Sequence, residues 1–363
     1  MDFSPAQDRA LDQVARWLAD PGQPQVFRLF GFAGTGKTTL ARHLAEHVDG
    51  EVAFGAFTGK AALVMRSKGC RDARTIHSMI YRPKDIEGDA PTFVLNDDSP
   101  AAKASLIVID ECSMVDEEMG RDLLSFGKKT LVLGDPAQLP PIQGGGYFTE
   151  AEPDAMLTEV HRQAADDPIV RLSMDVREGR RLSHGTYGRS RIIPKSDIDA
   201  AAVTEADQIL VGTNRTRRAY NRRLRELLGF SGDFPNAGEK LVCLRNNRAK
   251  GLLNGGLFRV EKANGIKRGK VSLSVKPEDT IGAKPMRVRI LPAFFAGEED
   301  IPYSLRKESD EFDYGYALTV HKAQGSQWND VVLFDESFAF RENRARWLYT
   351  GITRAAERLT IVM

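Results

Sequence analysis

The chain has 363 residues, 42% hydrophobic and 28% charged, a composition that excludes a disordered or fibrous protein and leaves room for two or three domains with cores of their own. Its 51 basic and 50 acidic residues give a net charge of +1, so any affinity for nucleic acid must be local. No apolar run nears the roughly 18 residues of a membrane span, Met1-Asp2-Phe3-Ser4 has no signal-peptide pattern, and Cys70, Cys112 and Cys243 lack C-x-x-C spacing. A reduced, cytoplasmic protein with neither a disulfide framework nor a zinc site is expected.

Ser4 and Pro5 read as the cap and first residue of a helix carrying Leu11, Val14, Ala15 and Leu18 on its apolar stripe. Gln7, in its first turn, suits either solvent or the edge of an adenine, whose ring nitrogen and exocyclic amine match an amide's donor and acceptor. The apolar run Val26–Phe30 precedes Gly31-Phe32-Ala33-Gly34-Thr35-Gly36-Lys37-Thr38, and Thr39–Ala45 then has helical spacing. Strand, glycine turn and helix in this order make a phosphate cradle, because glycines let backbone N–H groups converge on an anion at a helix N-terminus. Gly34, Thr35, Gly36, Lys37, Thr38 and Thr39 are therefore the candidate nucleotide-binding residues. Lys37 reaches the β- and γ-phosphates and Thr38 offers a hydroxyl to Mg²⁺.

A second strand, Glu51–Phe57, leads to a helix opened by Thr58-Gly59-Lys60, where Thr58 and Lys60 could hold a phosphate or simply cap the helix. Ala73–Tyr81 reads as a third short helix, with His77 either structural or chemical. Arg82 to Ala104 breaks the rhythm with prolines, a turn at Ile86–Asp89 and a small strand at Thr92–Leu95. Leu106–Ile109 is an apolar run ending in Asp110 and Glu111, the pattern of a buried parallel strand whose C-terminal end meets a ligand. Downstream of a phosphate cradle, Asp110 is a Mg²⁺ ligand and Glu111 orients or deprotonates the attacking water. The strand Thr130–Gly134 ends at Asp135 and a proline-stiffened loop, where Gln138 could sense the γ-phosphate or its water.

Beyond the glycines at 144–146 the pattern restarts with a helix over Asp167–Arg180, a buried strand at Gln208–Thr213 and a helix from Asn214 that carries six arginines by Arg225. No second phosphate cradle occurs in this half. From Ser231 to Glu311 alternating strands separated by glycine and asparagine turns suggest a small barrel. A strand at Val331–Phe334, a helix around Arg346–Ala355 and a strand at Leu359–Val362 complete the chain; Arg354 is either a surface arginine or one that reaches a γ-phosphate.

Gly31–Thr38, Thr58–Ala62, Asp110–Met114, Gly134–Pro141, His321–Ser326 and Tyr349–Arg354, in that order, resemble the motif set of superfamily 1 helicases, most closely the RecD-like and phage Dda-like 5′-to-3′ branch. The resemblance implies an α/β fold of two RecA-like lobes: 1–82 with 105–150, and 151–230 with 312–363. It also implies a small β-pin insertion at 83–104 and an SH3-like β-barrel insertion at 231–311. Under it Gln7 contacts adenine, Gln138 and Arg162 sense the γ-phosphate, and Arg354 is the arginine finger. Thr58, Lys60, His77, Thr213, Asn214, Thr319 and His321 become strand-binding candidates. The implied activity is ATP- and Mg²⁺-dependent translocation on single-stranded DNA with duplex separation, the alternatives being an RNA-directed translocase or a nucleotide-binding switch. The implied partners are single-stranded DNA and single-strand/duplex junctions, together with single-strand-binding, replication or recombination proteins, and a monomer with no membrane association is expected.

Overall fold

The computed structural model describes residues 3–84, 93–140, 146–158, 167–247, 250–278, 283–298 and 300–363. By contact density the chain divides into one unit of Met1–Glu87, Pro91–Arg181 and Ala345–Thr353, and another of Gly88–Ala90, Leu182–Arg344 and Arg354–Met363.

The first unit is built on a six-stranded sheet in the order Arg74–Thr75, Val52–Ala56, Leu106–Asp110, Lys129–Gly134, Val26–Gly31 and Ala155–Leu157, every neighbouring pair parallel. Such a sheet is stable only when both faces are covered. Here Leu29, Leu106, Val108, Leu131 and Leu133 pack on one face with Val14, Trp17, Leu40 and Met65 from helices. Val26, Phe30, Ile107, Ile109 and Val132 point to the other face, against Ile76, Met79, Leu123 and Phe148. Alternate residues of the same strand thus serve different cores, which explains why these strands read as continuous apolar runs.

The first helix, Pro5–Ala19, starts as expected: Ser4 Oγ accepts from Gln7 N and Gln7 Oε1 accepts from Ser4 N, at 3.3 and 2.9 Å. The helix expected over 73–81 is shorter. Arg74–Thr75 joins the sheet, and Thr75 then caps the helix Ile76–Ile80. Tyr81–Pro83, which begins before the pin expected at 83–104, forms a two-stranded antiparallel ladder with Phe93–Leu95 inside it; the turn read at 86–89 lies outside the described residues. The lobe boundary expected at 150 is corrected. Ala155–Leu157 pairs with Val26–Gly31, and the helix Pro168–Arg177 also belongs to the first unit, as does the segment Ala345–Thr353. A three-residue strand leaves no periodic signature, so the glycine run before it was a misleading marker.

The second unit has its own six-stranded sheet, Ala317–Thr319, Gln208–Val211, Trp328–Phe334, Ala355–Val362, Ser190–Ile193 and Gly185–Tyr187. All its pairs are parallel except the last, an antiparallel edge hairpin. Lys240–Cys243, Leu257–Lys267, Lys270–Pro277, Met286–Ile290 and Phe312–Tyr314 form a five-stranded antiparallel sheet, its inward residues Val260, Leu273, Val288 and Phe312 sharing a core with Ile209 and Val332 of the parallel sheet.

Two residues of the arginine-rich helix Asn214–Leu227 face inward onto carboxylates. Arg217 pairs with Asp313 at 2.7 Å, both largely buried, and Arg225 pairs with the fully buried Glu239 at 2.6 Å while lying 4.3 Å over the Tyr314 ring. These two arginines fasten the helix to the antiparallel sheet. Removing either would strand a buried carboxylate, which typically costs about 3–5 kcal/mol.

Candidate nucleotide site and strand-binding edges

In a parallel α/β sheet ligands gather beyond the C-terminal ends of the strands. In the first unit these ends carry the glycine turn after Val26–Gly31, Asp110 after Leu106–Ile109, and Asp135 after Lys129–Gly134. Gly34 and Gly36 have φ of 79° and 81°, a left-handed conformation that favours glycine. A Cβ on Gly31 would lie 2.7 Å from Thr35 Oγ1, so this position needs glycine for space instead. The helix Lys37–Ala45 has no side-chain cap. Its first turn, which includes Thr38 and the half-buried Thr39, presents N–H groups of the kind that can hold an anion.

Lys37 Nζ folds across the turn to the carbonyls of Gly31 and Phe32 at 2.6 and 3.0 Å. Thr38 Oγ1 donates to Asp110 Oδ2 at 2.8 Å, and Asp110 Oδ1 accepts from Glu111 N at 2.8 Å. A hydroxyl and a carboxylate at this separation are the hard oxygen donors that Mg²⁺ prefers, so these two residues fit the expected ion. Glu111 is left-handed, φ 55° and ψ 44°, a conformation uncommon for a residue with a Cβ and concentrated at functional sites.

Gln138 is 7% exposed, and its Oε1 is buried without a hydrogen-bond partner among the described residues, as expected of a group poised for a ligand or water. Gln7 is also buried: its Nε2 donates to Thr35 O at 3.0 Å, tying the first helix to the glycine turn. Arg162 lies outside the described residues. Arg354 is in the second unit, 5% exposed, with Nη1 donating to Ser326 O at 3.2 Å.

Three participants were not singled out from the sequence. Tyr349 donates to Asp135 Oδ2 at 2.6 Å while its hydroxyl accepts from Ala33 N of the glycine turn at 3.0 Å. Burial and the neighbouring Asp135 push this phenol's pKa well up, so it remains a donor. Thr350 Oγ1 accepts from Leu139 N at 2.9 Å, fixing the loop that holds Gln138. Arg177 stacks 3.6 Å over the Phe32 ring. Asp135 and Tyr349 do lie inside recognisable motifs, which was the one available signal; Arg177 had none.

The strand-binding candidates occupy other stretches of the same kind of edge. Thr58 follows Val52–Ala56 and caps its helix, Oγ1 accepting from Ala61 N at 3.1 Å. Lys60 is 9% exposed, and the His77 ring lies 4.4 Å edge-on from that of Phe93. In the second unit Val211 is in register with Thr319, bringing Thr213, Asn214, Thr319 and His321 to adjoining strand ends. Thr213 caps the arginine-rich helix, while Asn214 accepts from Arg217 Nε at 3.2 Å. Glu336, unnoticed in the sequence, accepts from Gly212 N, Thr213 N and Thr216 Oγ1 at 2.6, 3.2 and 2.5 Å. His321 packs on Phe340, and burial lowers its pKa. The cysteines are buried free thiols; burial pushes Cys70 up to about 11 and Cys243 up to about 12. Among the described residues no helix is long and apolar enough to cross a membrane.

Residues 3–194 match the family described as AAA domain, and residues 314–362 match the UvrD-like helicase C-terminal domain. The ATP-dependent RecD2 DNA helicase of Deinococcus radiodurans is 27% identical over 98% of this chain and 48% of its own length. The ATP-dependent DNA helicase dda of Enterobacteria phage T4 is 31% identical over 41% of this chain and 37% of its own. The chain thus spans about half or less of these relatives. Among solved structures, Pif1 helicase from Candida albicans superposes with a TM-score of 0.57 at 17% identity, covering 100% of this chain and 95% of that one. Bacteroides Pif1 in complex with ADP-AlF3 and single-stranded DNA gives 0.58 at 15%, covering 99% and 92%. These likenesses establish a shared RecA-like α/β fold. With a family match over more than half its residues, the chain belongs to the AAA-domain family, and it is similar to the RecD2 and dda helicases.

Proposed function

We propose that the chain hydrolyses ATP to move 5′ to 3′ along single-stranded DNA and separate duplexes ahead of it. The observation that carries this reading is the linked set Lys37, Thr38, Asp110, Asp135 and Tyr349 around one uncapped helix N-terminus, in a chain whose other parallel sheet has strand-binding candidates but no phosphate cradle. The relatives named as DNA helicases supply the substrate class.

In this reading the first-turn amides and Lys37 hold the β- and γ-phosphates, and Gln7 faces the adenine. Thr38 and Asp110 would hold Mg²⁺, which would offset phosphate charge. Water attacks the γ-phosphorus, its proton passes to Glu111, and the bond to the β,γ-bridging oxygen breaks, leaving ADP and phosphate. Gln138 positions that water, while Arg162 and Arg354 stabilise charge on the transferred phosphoryl group. Thr58, Lys60 and His77 hold the strand in one phase of the cycle, and Thr213, Asn214, Thr319 and His321 in another. The ladder of Tyr81–Pro83 with Phe93–Leu95 is the base of the duplex-splitting pin, and the five-stranded antiparallel sheet is the SH3-like insertion. The protein acts as a monomer at single-strand/duplex junctions, alongside single-strand-binding, replication or recombination proteins. ATP turnover measured with and without an oligothymidylate tests the reading: the expected result is at least a tenfold stimulation by DNA, lost in Lys37→Ala and Arg354→Ala. Turnover in either variant that matches the wild type contradicts the assignment.

A further inference from the structure

The second unit contains an aromatic feature that the motifs do not include. Phe338 is 69% exposed, more than the other exposed large hydrophobic residues among those described. A single exposed apolar side chain is ordinary on a protein surface. This one differs in how it is held and in what surrounds it.

Phe338 lies in the 3₁₀ segment Ser337–Asn343, directly beyond the C-terminal end of Trp328–Phe334. That strand neighbours Gln208–Val211, which in turn neighbours Ala317–Thr319, and Leu210 is in register with Leu333. The Phe338 segment, the Thr213 cap and the His321 turn therefore line one continuous strand-end edge. Ser337 is completely buried: its N–H donates to Asp335 Oδ1 at 2.8 Å and its Oγ accepts from Arg344 Nε at 3.1 Å. Phe340 lies 5.3 Å from the His321 ring, and a Cβ on Gly212 would approach it to 3.1 Å. Glu336 ties the same segment to the amides of Gly212 and Thr213. Phe338 thus projects from a segment anchored on either side, so a flat ligand could stack on it without first having to order the loop. Three residues further on, the exposed Arg341 breaks the 3₁₀ segment with φ 43° and ψ −114°.

An exposed flat apolar face with an exposed arginine three residues on in the chain, at the edge that holds the strand-binding candidates, matches the chemistry of a nucleotide unit: the base stacks and the phosphate meets the charge. We propose that Phe338 is a stacking platform for one base of the bound single strand, with Arg341 meeting an adjacent phosphate. The inference rests on the DNA-binding reading above and extends it to residues outside the family motifs. Base stacking of this kind is sequence-tolerant, as a translocating protein requires.

The test compares oligothymidylate with a fully abasic oligonucleotide of equal length, titrated against the whole chain and its variants. Phe338→Ala should weaken oligothymidylate binding about tenfold, leave abasic binding unchanged and keep the salt dependence of the wild type, while Phe338→Trp restores affinity. Arg341→Ala should weaken both ligands and reduce the slope of log affinity against log salt by about 0.7. Equal effects of Phe338→Ala on the two oligonucleotides, or none on either, overturn the platform, and loss restricted to a protein partner would make Phe338 a protein-docking residue instead. A wild type that binds neither oligonucleotide overturns the DNA-binding reading as well, which separates the two failures. The exposure of Phe338 makes a folding defect in the alanine variant unexpected, and matching melting temperatures check this.

Discussion

The two six-stranded sheets share a largely parallel plan but finish their strands differently. After Val26–Gly31 the chain turns through left-handed glycines into a helix without a side-chain cap, so its first-turn N–H groups remain for an anion. After Gln208–Val211, as after Val52–Ala56 in the first unit, a threonine caps the next helix, and Glu336 occupies the neighbouring amides of Gly212 and Thr213. The same strand-to-helix plan therefore leaves first-turn donors open after Val26–Gly31 and fills them after Gln208–Val211. Whether a strand end becomes a nucleotide site is decided by the turn that follows it, because a cap and an anion compete for the same donors.

The largest expected effect attacks the uncapped end. Lys37→Ala should reduce ATP turnover by at least about 10²-fold, the scale for losing a donor to developing transition-state charge, as a coupled phosphate-release assay will show. Next is the bridge that holds the glycine turn to Asp135. Tyr349→Phe keeps the ring but leaves Asp135 and Ala33 N without their partner in a buried site, a loss of about 1–3 kcal/mol readable by denaturant unfolding. A fall in kcat for ATP larger than any rise in KM is expected to accompany it.

That bridge also marks the limit of what the sequence could reveal. Gly34, Gly36, Lys37, Asp110 and Gln138 were legible because each acts through a short stretch of backbone whose conformation its own neighbours determine. The bond from Tyr349 to Asp135 joins residues 214 positions apart, and Glu336 serves Gly212 and Thr213 from 124 and 123 positions away. No local pattern encodes either. The arginine-rich helix is opaque for a related reason: charge counting along the helix registers Arg217 and Arg225 but not Asp313 and Glu239, the carboxylates that occupy them. The antiparallel strands, by contrast, announced themselves through alternation and turns, although Leu257–Lys267 runs further than its apolar half suggested.

Smaller effects probe the capped ends. Thr213→Ala should cost about 1 kcal/mol through the lost cap, measured by thermal unfolding, and should weaken single-strand binding without removing nucleotide binding. The smallest effect concerns His321, whose pKa burial lowers from the ordinary 6.5. In that window the unfolded chain binds a proton that the folded one resists. Stability therefore falls as pH drops from about 6.5 toward the lowered folded value, and is unaffected by this group above about 6.5. His321→Gln should flatten that part of the stability profile.

The central claim, that one nucleotide site drives a motor along a single strand, is tested most directly by unwinding partial duplexes carrying either a 5′ or a 3′ single-stranded tail, with ATP and Mg²⁺. The account predicts strand separation of the 5′-tailed substrate only, abolished by Lys37→Ala. Separation confined to the 3′-tailed substrate would contradict it.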